Sequence, residues 1–301
     1  MAERSVRRAD RPREFRAGRR GAPIVAVMTR SASPRIRPAG LPLLVAFVLL
    51  WLGAGPLAAG PALPDALAAG GSFRVVEVVD GDTLVLEDGR EVRLVGLQAP
   101  KLPRGREGFE TWPLAEEARA ALVELAQGRQ VTLGYGGRRV DRHGRALAHL
   151  FRDDGLWLQG ELLARGLGRV YSFPDNRALV TEMLERERRA RREGAGIWSD
   201  PWYGIRAADQ LSEAIDSFQL VEGRVLDAAV VRDRGYLNFG RDWKDDFTVS
   251  IDPEARRLFE AAGRPVESFE GLRIRVRGWI KSFNGPMIEA THPEQIEVIG
   301  P

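Results

Sequence analysis

Phe73-Arg-Val-Val-Glu-Val-Val-Asp-Gly-Asp-Thr-Leu-Val-Leu-Glu-Asp-Gly-Arg-Glu-Val-Arg-Leu-Val-Gly-Leu97 is a run of short, alternating, β-branched segments. Phe73–Val79, Thr83–Glu87 and Glu91–Leu97 have the period of two that suits a half-buried pleated surface. Asp80-Gly81 and Asp88-Gly89 stand between them. Asp-Gly between such runs predicts hairpin turns, whose backbone requires positive φ. The stretch therefore predicts three strands joined by tight turns.

Working outward, Pro113 to Gln127 predicts a helix. Proline sits in its first turn, Glu116 and Glu117 follow, and Gly128 stands past its end. Strands are expected near Gln130–Tyr135 and Ala146–Arg152, then helices over Leu156–Arg165 and Arg177–Arg192. Five strands with helices inserted and appended is the arrangement of an OB-type barrel. Residues 200–216 read as a linker with some local structure. Strand signals return at Phe218–Leu226, Tyr236–Phe239, Phe247–Ile251, Leu272–Ile280, Met287–Ala290 and Gln295–Ile299, with a short helix over Pro253–Ala262. This half predicts a second OB-like barrel. The expected fold class is mainly β with inserted helices (α+β), with domains at 70–199 and 217–301.

Residues 1–69 read as an Arg-rich leader. Leu41 to Leu52 is an apolar run as long as a signal-peptide core, preceded by Arg30, Arg35 and Arg37 and followed by small residues. It predicts export to the periplasm or exterior, with cleavage between Ala59 and Ala69, or an uncleaved membrane anchor. Either way this segment contacts a membrane during export. Met28 is an alternative start. Residues 1–40 carry eleven arginines and three acids, a balance of +8, which against the chain's +3 leaves the remainder at −5. Any grip on nucleic acid must therefore come from a local patch. With no cysteine, disulfides and thiolate metal sites are excluded.

Phosphodiester hydrolysis needs a base beside the nucleophile, cations on the phosphate and, usually, a metal. Four segments bear on that chemistry: Val79-Asp-Gly-Asp-Thr83, Arg93-Leu-Val-Gly-Leu-Gln-Ala-Pro-Lys101, Asp141-Arg-His-Gly-Arg145 and Gly194-Ala-Gly-Ile-Trp198. By their order and spacing, residues 73–199 resemble the thermonuclease (staphylococcal nuclease-like) family. The resemblance implies that Arg93 and Arg145 are the catalytic arginines on the phosphate, a role suited to the guanidinium fork. It implies a calcium ion or another divalent cation at Asp82, with Asp80 nearby.

Two positions depart from the family. Its general-base glutamate is Lys101, and an ammonium with an ordinary pKa of about 10.4 is no base at neutral pH. One of its metal-binding aspartates is Gln98, and Ala99 supplies no hydroxyl, so weak calcium binding is expected. Glu107 and Glu110 are the candidates for a relocated base. Lys101, as a third cation, would strengthen phosphate binding while removing the base.

Beyond the resemblance, Arg273, Arg275, Arg277, Trp279 and Phe283 read either as a stacking platform for single strands or as a barrel strand whose arginines face water. The expected function is binding of phosphate-bearing ligands, plausibly single-stranded DNA or RNA, with phosphodiesterase activity altered or lost. The alternatives are an active divalent-dependent nuclease and a non-catalytic module that binds an envelope protein partner.

Overall fold

Alternating valines and leucines on consecutive short strands leave one apolar face that a sheet can bury by curling around it. The computed structural model describes residues 62–242 and 244–301; the apolar run of the expected leader lies outside them. Among the described residues no helix is long and apolar enough to cross a membrane.

The chain opens with β1 (Ala68–Asp80), β2 (Thr83–Leu86), β3 (Glu91–Leu94) and a two-residue β4 (Leu97–Gln98), followed by α1 (Ala115–Ala126). Next come β5 (Gln130–Tyr135), β6 (Ala146–Arg152), α2 (Leu158–Ala164), β7 (Arg169–Val170) and α3 (Val180–Glu193). Five of these strands close a barrel in the order β1-β2-β3-β6-β5, in which β3 and β6 run parallel. Its interior holds Val75, Leu84, Val92, Leu133 and Leu150, all fully buried, and α1 closes one side with Leu122 and Leu125. Each such side chain contributes about 1.5–3 kcal/mol by leaving water. Ala68 and Ala69, read as the end of the leader, already pair with Tyr135 and Gly134 of β5.

The two Asp-Gly turns differ from each other. Gly89 has the expected positive φ of 83°. Gly81 does not; that turn is held by the Asp82 N–H donating to Asp80 Oδ1 at 3.0 Å. Glycine is required there for closeness: a Cβ at residue 81 would lie 2.7 Å from the Ala99 Cβ and 2.9 Å from the Ala118 Cβ. The helix expected from Pro113 starts two residues later, because Leu114 adopts a φ of 61° just before it.

The remaining strands are β8 (Arg206–Ala207), β9 (Phe218–Arg224), β10 (Asp227–Val231), β11 (Arg234–Asn238) and β12 (Thr248–Ile251). After α4 (Pro253–Ala261) come β13 (Arg273–Ser282), β14 (Pro286–Glu289) and β15 (Ile296–Gly300). They form one sheet in the order β10-β11-β12-β14-β13-β9-β8, with β15 on β13. Only Val225 and Leu226 separate β9 from β10, so both ends of the run β10 to β9 belong to one nearly continuous stretch. The adjacency of the first barrel therefore recurs, including a parallel pair, β12 with β14. Part of the expected linker joins this sheet, since β8 pairs in parallel with β9.

One expectation fails on β13. Arg277 does not face water, because it is buried against Glu187 of α3, and Arg275 is partly buried in ion pairs with acids of the neighbouring strands. Arg277 is 2% exposed, and its two Nη atoms each reach a Glu187 carboxylate oxygen of α3 at 2.9 Å. It also donates to Glu297 at 2.7 Å and to the Val170 carbonyl at 3.2 Å. Burial disfavours the Arg277 charge, but Glu187 and Glu297 outweigh it and raise its pKa above the usual guanidinium range. Burial likewise opposes ionisation of Glu297, yet Arg277 and Arg191 pull its pKa down to about 2. Arg275 is paired with Glu222.

Candidate nucleic-acid cleft

The β1–β2 turn, the segment after β3 and the β5–β6 loop converge on one cleft of about 850 Å³. Asp82 is completely buried beside it, behind the lining residues Arg93 and Lys101. Four donors fix its carboxylate. Lys101 Nζ lies 2.7 Å from Oδ1 and 2.5 Å from Oδ2. The Ala99 N–H donates to Oδ2 at 2.8 Å, and Arg93 Nη1 pairs with Oδ1. The Thr83 hydroxyl adds a longer contact at 3.3 Å. Burial pushes the Asp82 pKa up, but Arg93 and Lys101 overcome it and hold the group well below the usual carboxylate range. Arg93 is pinned further by donating to the Leu97 carbonyl at 2.7 Å.

Arg145 enters from the start of β6, where the Arg93↔Leu147 pairing of β3 with β6 brings the two motifs together. Its Nε donates to Asp141 Oδ2 at 2.8 Å, and the Asp141 carboxylate also accepts the His143 and Arg145 N–H groups. Gly144 takes a φ of 84° in the same loop, which accounts for the glycine of the motif as Asp141 and Arg145 account for its acid and arginine. Asp80 lines the cleft with Lys101 at 4.0 Å and Arg104 at 3.6 Å. Burial, and then Asp82, raise its pKa despite Lys101. Burial lowers the pKa of Lys101 itself against the opposing pull of Asp82.

The structure thus brings Arg93, Arg145, Lys101, Asp80 and Asp82 into one place. Gln98 goes elsewhere. Its Oε1 accepts from Arg169 Nη2 at 2.8 Å, and the other arm of that arginine donates to the Phe218 carbonyl at 3.2 Å. Glu107 and Glu110 are exposed and do not line the cleft. Sequence reasoning missed Arg104, Arg106, Arg138 and Arg142, which line it too. In all, seven lysine and arginine side chains face three aspartates there, so the cleft is locally cationic on an otherwise acidic body.

These surroundings do not fit calcium, which takes about 6–8 oxygens and draws its affinity from carboxylates. Both Asp82 oxygens are engaged by cations and an amide, Gln98 is turned away, and Ala99 has no side-chain oxygen. Among the described residues no group of three or more acids, histidines or cysteines is placed to hold a metal.

A family model described as staphylococcal nuclease homologue matches residues 91–200. An uncharacterised endonuclease of Escherichia coli is 32% identical over 137 residues, covering 43% of this chain and 81% of that protein. The chain belongs to the staphylococcal nuclease homologue family. A thermonuclease of Staphylococcus intermedius is 26% identical over 132 residues, covering 43% of this chain and 77% of the relative. An uncharacterised protein of Bacillus anthracis is 34% identical over 136 residues, and the match spans 60% of that protein's length and 42% of this chain. The staphylococcal nuclease match ends before β9, so the second sheet lies beyond it.

Proposed function

We propose that this protein binds phosphate-bearing ligands, nucleic acid foremost, in a cleft where a lysine ammonium replaces the divalent cation of related nucleases, and that its phosphodiester hydrolysis is altered or lost. The observation that carries this reading is Lys101 Nζ clasping both oxygens of Asp82 at 2.7 and 2.5 Å. One residue thereby supplies a fixed positive charge and displaces the base. Arg93, Arg104 and Arg145 keep 14%, 39% and 25% of their side chains exposed, leaving donors for an anion. The arginine-flanked apolar run at 41–52 supports an exported location as part of the same reading.

The chemistry left to such a site is binding and charge neutralisation. Loss of general-base assistance costs roughly 10²–10⁴-fold in rate. The test is binding and cleavage of DNA and RNA with chelator, calcium, magnesium or manganese, beside Arg145→Ala. Expected are chelator-insensitive binding, weakened by the substitution and by salt, and cleavage that is slow or absent.

A second reading rests on Asp80, the carboxylate that lines the cleft between Lys101 and Arg104. If Asp80 is a relocated base, divalent-dependent cleavage will occur and will vanish in both Asp80→Asn and Arg145→Ala.

A further inference from the structure

Trp279 lies on β13, outside the staphylococcal nuclease match, yet it lines the same cleft as Arg93, Lys101 and Arg145. Its indole Nε1 donates to the Tyr171 hydroxyl at 2.9 Å. Tyr171 follows β7, and its ring meets Phe218 of β9 edge-on at 4.9 Å. Phe218 in turn pairs with Trp279 in the β9–β13 register. The second sheet therefore holds Tyr171 from two sides and presents Trp279 beside it.

Trp279 is nevertheless 43% exposed, and Phe173, edge-on to Tyr171 at 4.9 Å, is 46% exposed. Two large apolar rings left in water beside seven cations demand a ligand that is both anionic and flat. A polyanion with unstacked aromatic bases meets both conditions. A duplex hides the faces of its bases, and a simple phosphate has none. The polar edge of the indole is already satisfied by Tyr171, which fixes the ring and leaves its π surface to stack.

We propose that Trp279 stacks a base of single-stranded nucleic acid whose phosphates lie on the Arg93–Lys101–Arg145 end of the cleft, so that the second sheet forms part of the ligand site. This rests on the phosphate-binding reading above and adds the strandedness of the ligand and the part of the fold that reads it. Arg138 and Arg142, which also line the cleft, supply further phosphate contacts for a strand longer than one nucleotide.

The experiment is equilibrium binding of a twelve-residue oligothymidylate and of a twelve-base-pair duplex to the full chain at low salt, without divalent ions. Trp279→Ala, Trp279→Phe and Arg145→Ala are compared, with tryptophan emission recorded on titration. Trp279→Ala is expected to weaken the single strand roughly 5- to 150-fold, the range for losing one base-stacking aromatic, and to leave little preference over the duplex. Trp279→Phe is expected to restore most of the affinity and to lose part of the fluorescence quenching seen in the wild type. If Trp279→Ala does not fold, the affinity and quenching of Trp279→Phe decide the matter alone. Single-strand affinity of folded Trp279→Ala within twofold of wild type overturns the proposal. So does a loss in Trp279→Phe as deep as in Trp279→Ala, because the missing hydrogen bond would then be responsible. If Arg145→Ala still weakens binding in either case, the phosphate-binding reading survives; if wild type binds no oligonucleotide at all, both fall.

Discussion

β3 with its following loop and β13 both carry arginines among apolar residues, within sheets of the same strand adjacency. The two use that charge in opposite ways. Around the first barrel, Arg93, Lys101 and Arg145 surround one buried acid, Asp82, and a paired loop acid, Asp141, and all three keep part of their surface in the cleft. On the second sheet, Arg275 and Arg277 face Glu222, Glu187 and Glu297, and Arg277 is sealed from water. The difference lies in what covers the strand. Where Glu187 of α3 packs on Arg277, the charges are neutralised face to face; in the cleft, seven cations face three aspartates among the described residues, and the excess is available to a ligand.

The strongest way to break this comparison is to remove Arg277. Arg277→Ala leaves Glu187 buried with one fewer cation, and loss of one partner of a buried pair costs about 3–5 kcal/mol. Denaturant unfolding should show that loss, whereas Arg145→Ala, at a partly exposed pair, should change stability by no more than about 1 kcal/mol. Equal effects would erase the distinction between structural and ligand-binding arginines.

Acid should act on the structural side next. Burial lowers the pKa values of His149 and His292 to about 4. The folded state therefore favours their neutral forms. Their contribution is complete above the unfolded value near 6.5 and is lost as pH falls toward 4. Each is expected to account for about 2–3 kcal/mol of that loss. Glu297 acts lower, losing its contribution as pH falls from about 4.5 toward 2. Melting temperature followed from pH 7 to 4 should drop, with a shallower slope in a folded His149→Gln variant; an unchanged slope would remove His149 from this account.

Gly81→Ala sharpens the comparison on the cleft side. Its Cβ would meet Ala99 and Ala118 at under 3 Å, an overpacking that costs about 1–3 kcal/mol. Because Ala99 donates to Asp82, phosphate affinity should fall with stability, which a paired melt and binding titration would reveal. Affinity untouched by the strain would show that buried Asp82 does not position the cations. The smallest effect expected is that of Arg145→Ala on ligand: about a tenfold weaker oligonucleotide affinity, with the salt slope reduced by about 0.7, the change for one single-strand phosphate contact.

Much of the first barrel was legible in the sequence because local signals agreed with the global fold. Alternating strands, acids early in α1 and Gly128 after it all point one way, and the structure brings the motif residues Arg93, Asp82, Lys101 and Arg145 close together. What escaped prediction depends on partners distant in the chain. Gly81 reads as a positive-φ turn residue, but its reason is the approach of Ala99 and Ala118. Gln98 reads as a weakened metal ligand, but Arg169 captures it. The alternation of Arg273, Arg275 and Arg277 cannot reveal that Arg277 is buried against Glu187 of α3 while Arg275 pairs with acids of neighbouring strands. The arginines of the 101–112 and 138–142 loops carry no periodic signal at all, and only the closure of the barrel brings Arg104 and Arg142 to one cleft.

The central claim is that the Lys101 ammonium does the work of a bound cation. It is tested most directly by the affinity of the full chain for a phosphorylated oligonucleotide, measured in chelator and again in millimolar calcium, with the recovered oligonucleotide examined for cleavage. The account predicts an affinity no higher in calcium than in chelator and cleavage slow or absent in both, since the phosphate contacts come from the protein's own cations and calcium adds only a competing counterion. Binding that appears only with calcium, accompanied by cleavage, would contradict it.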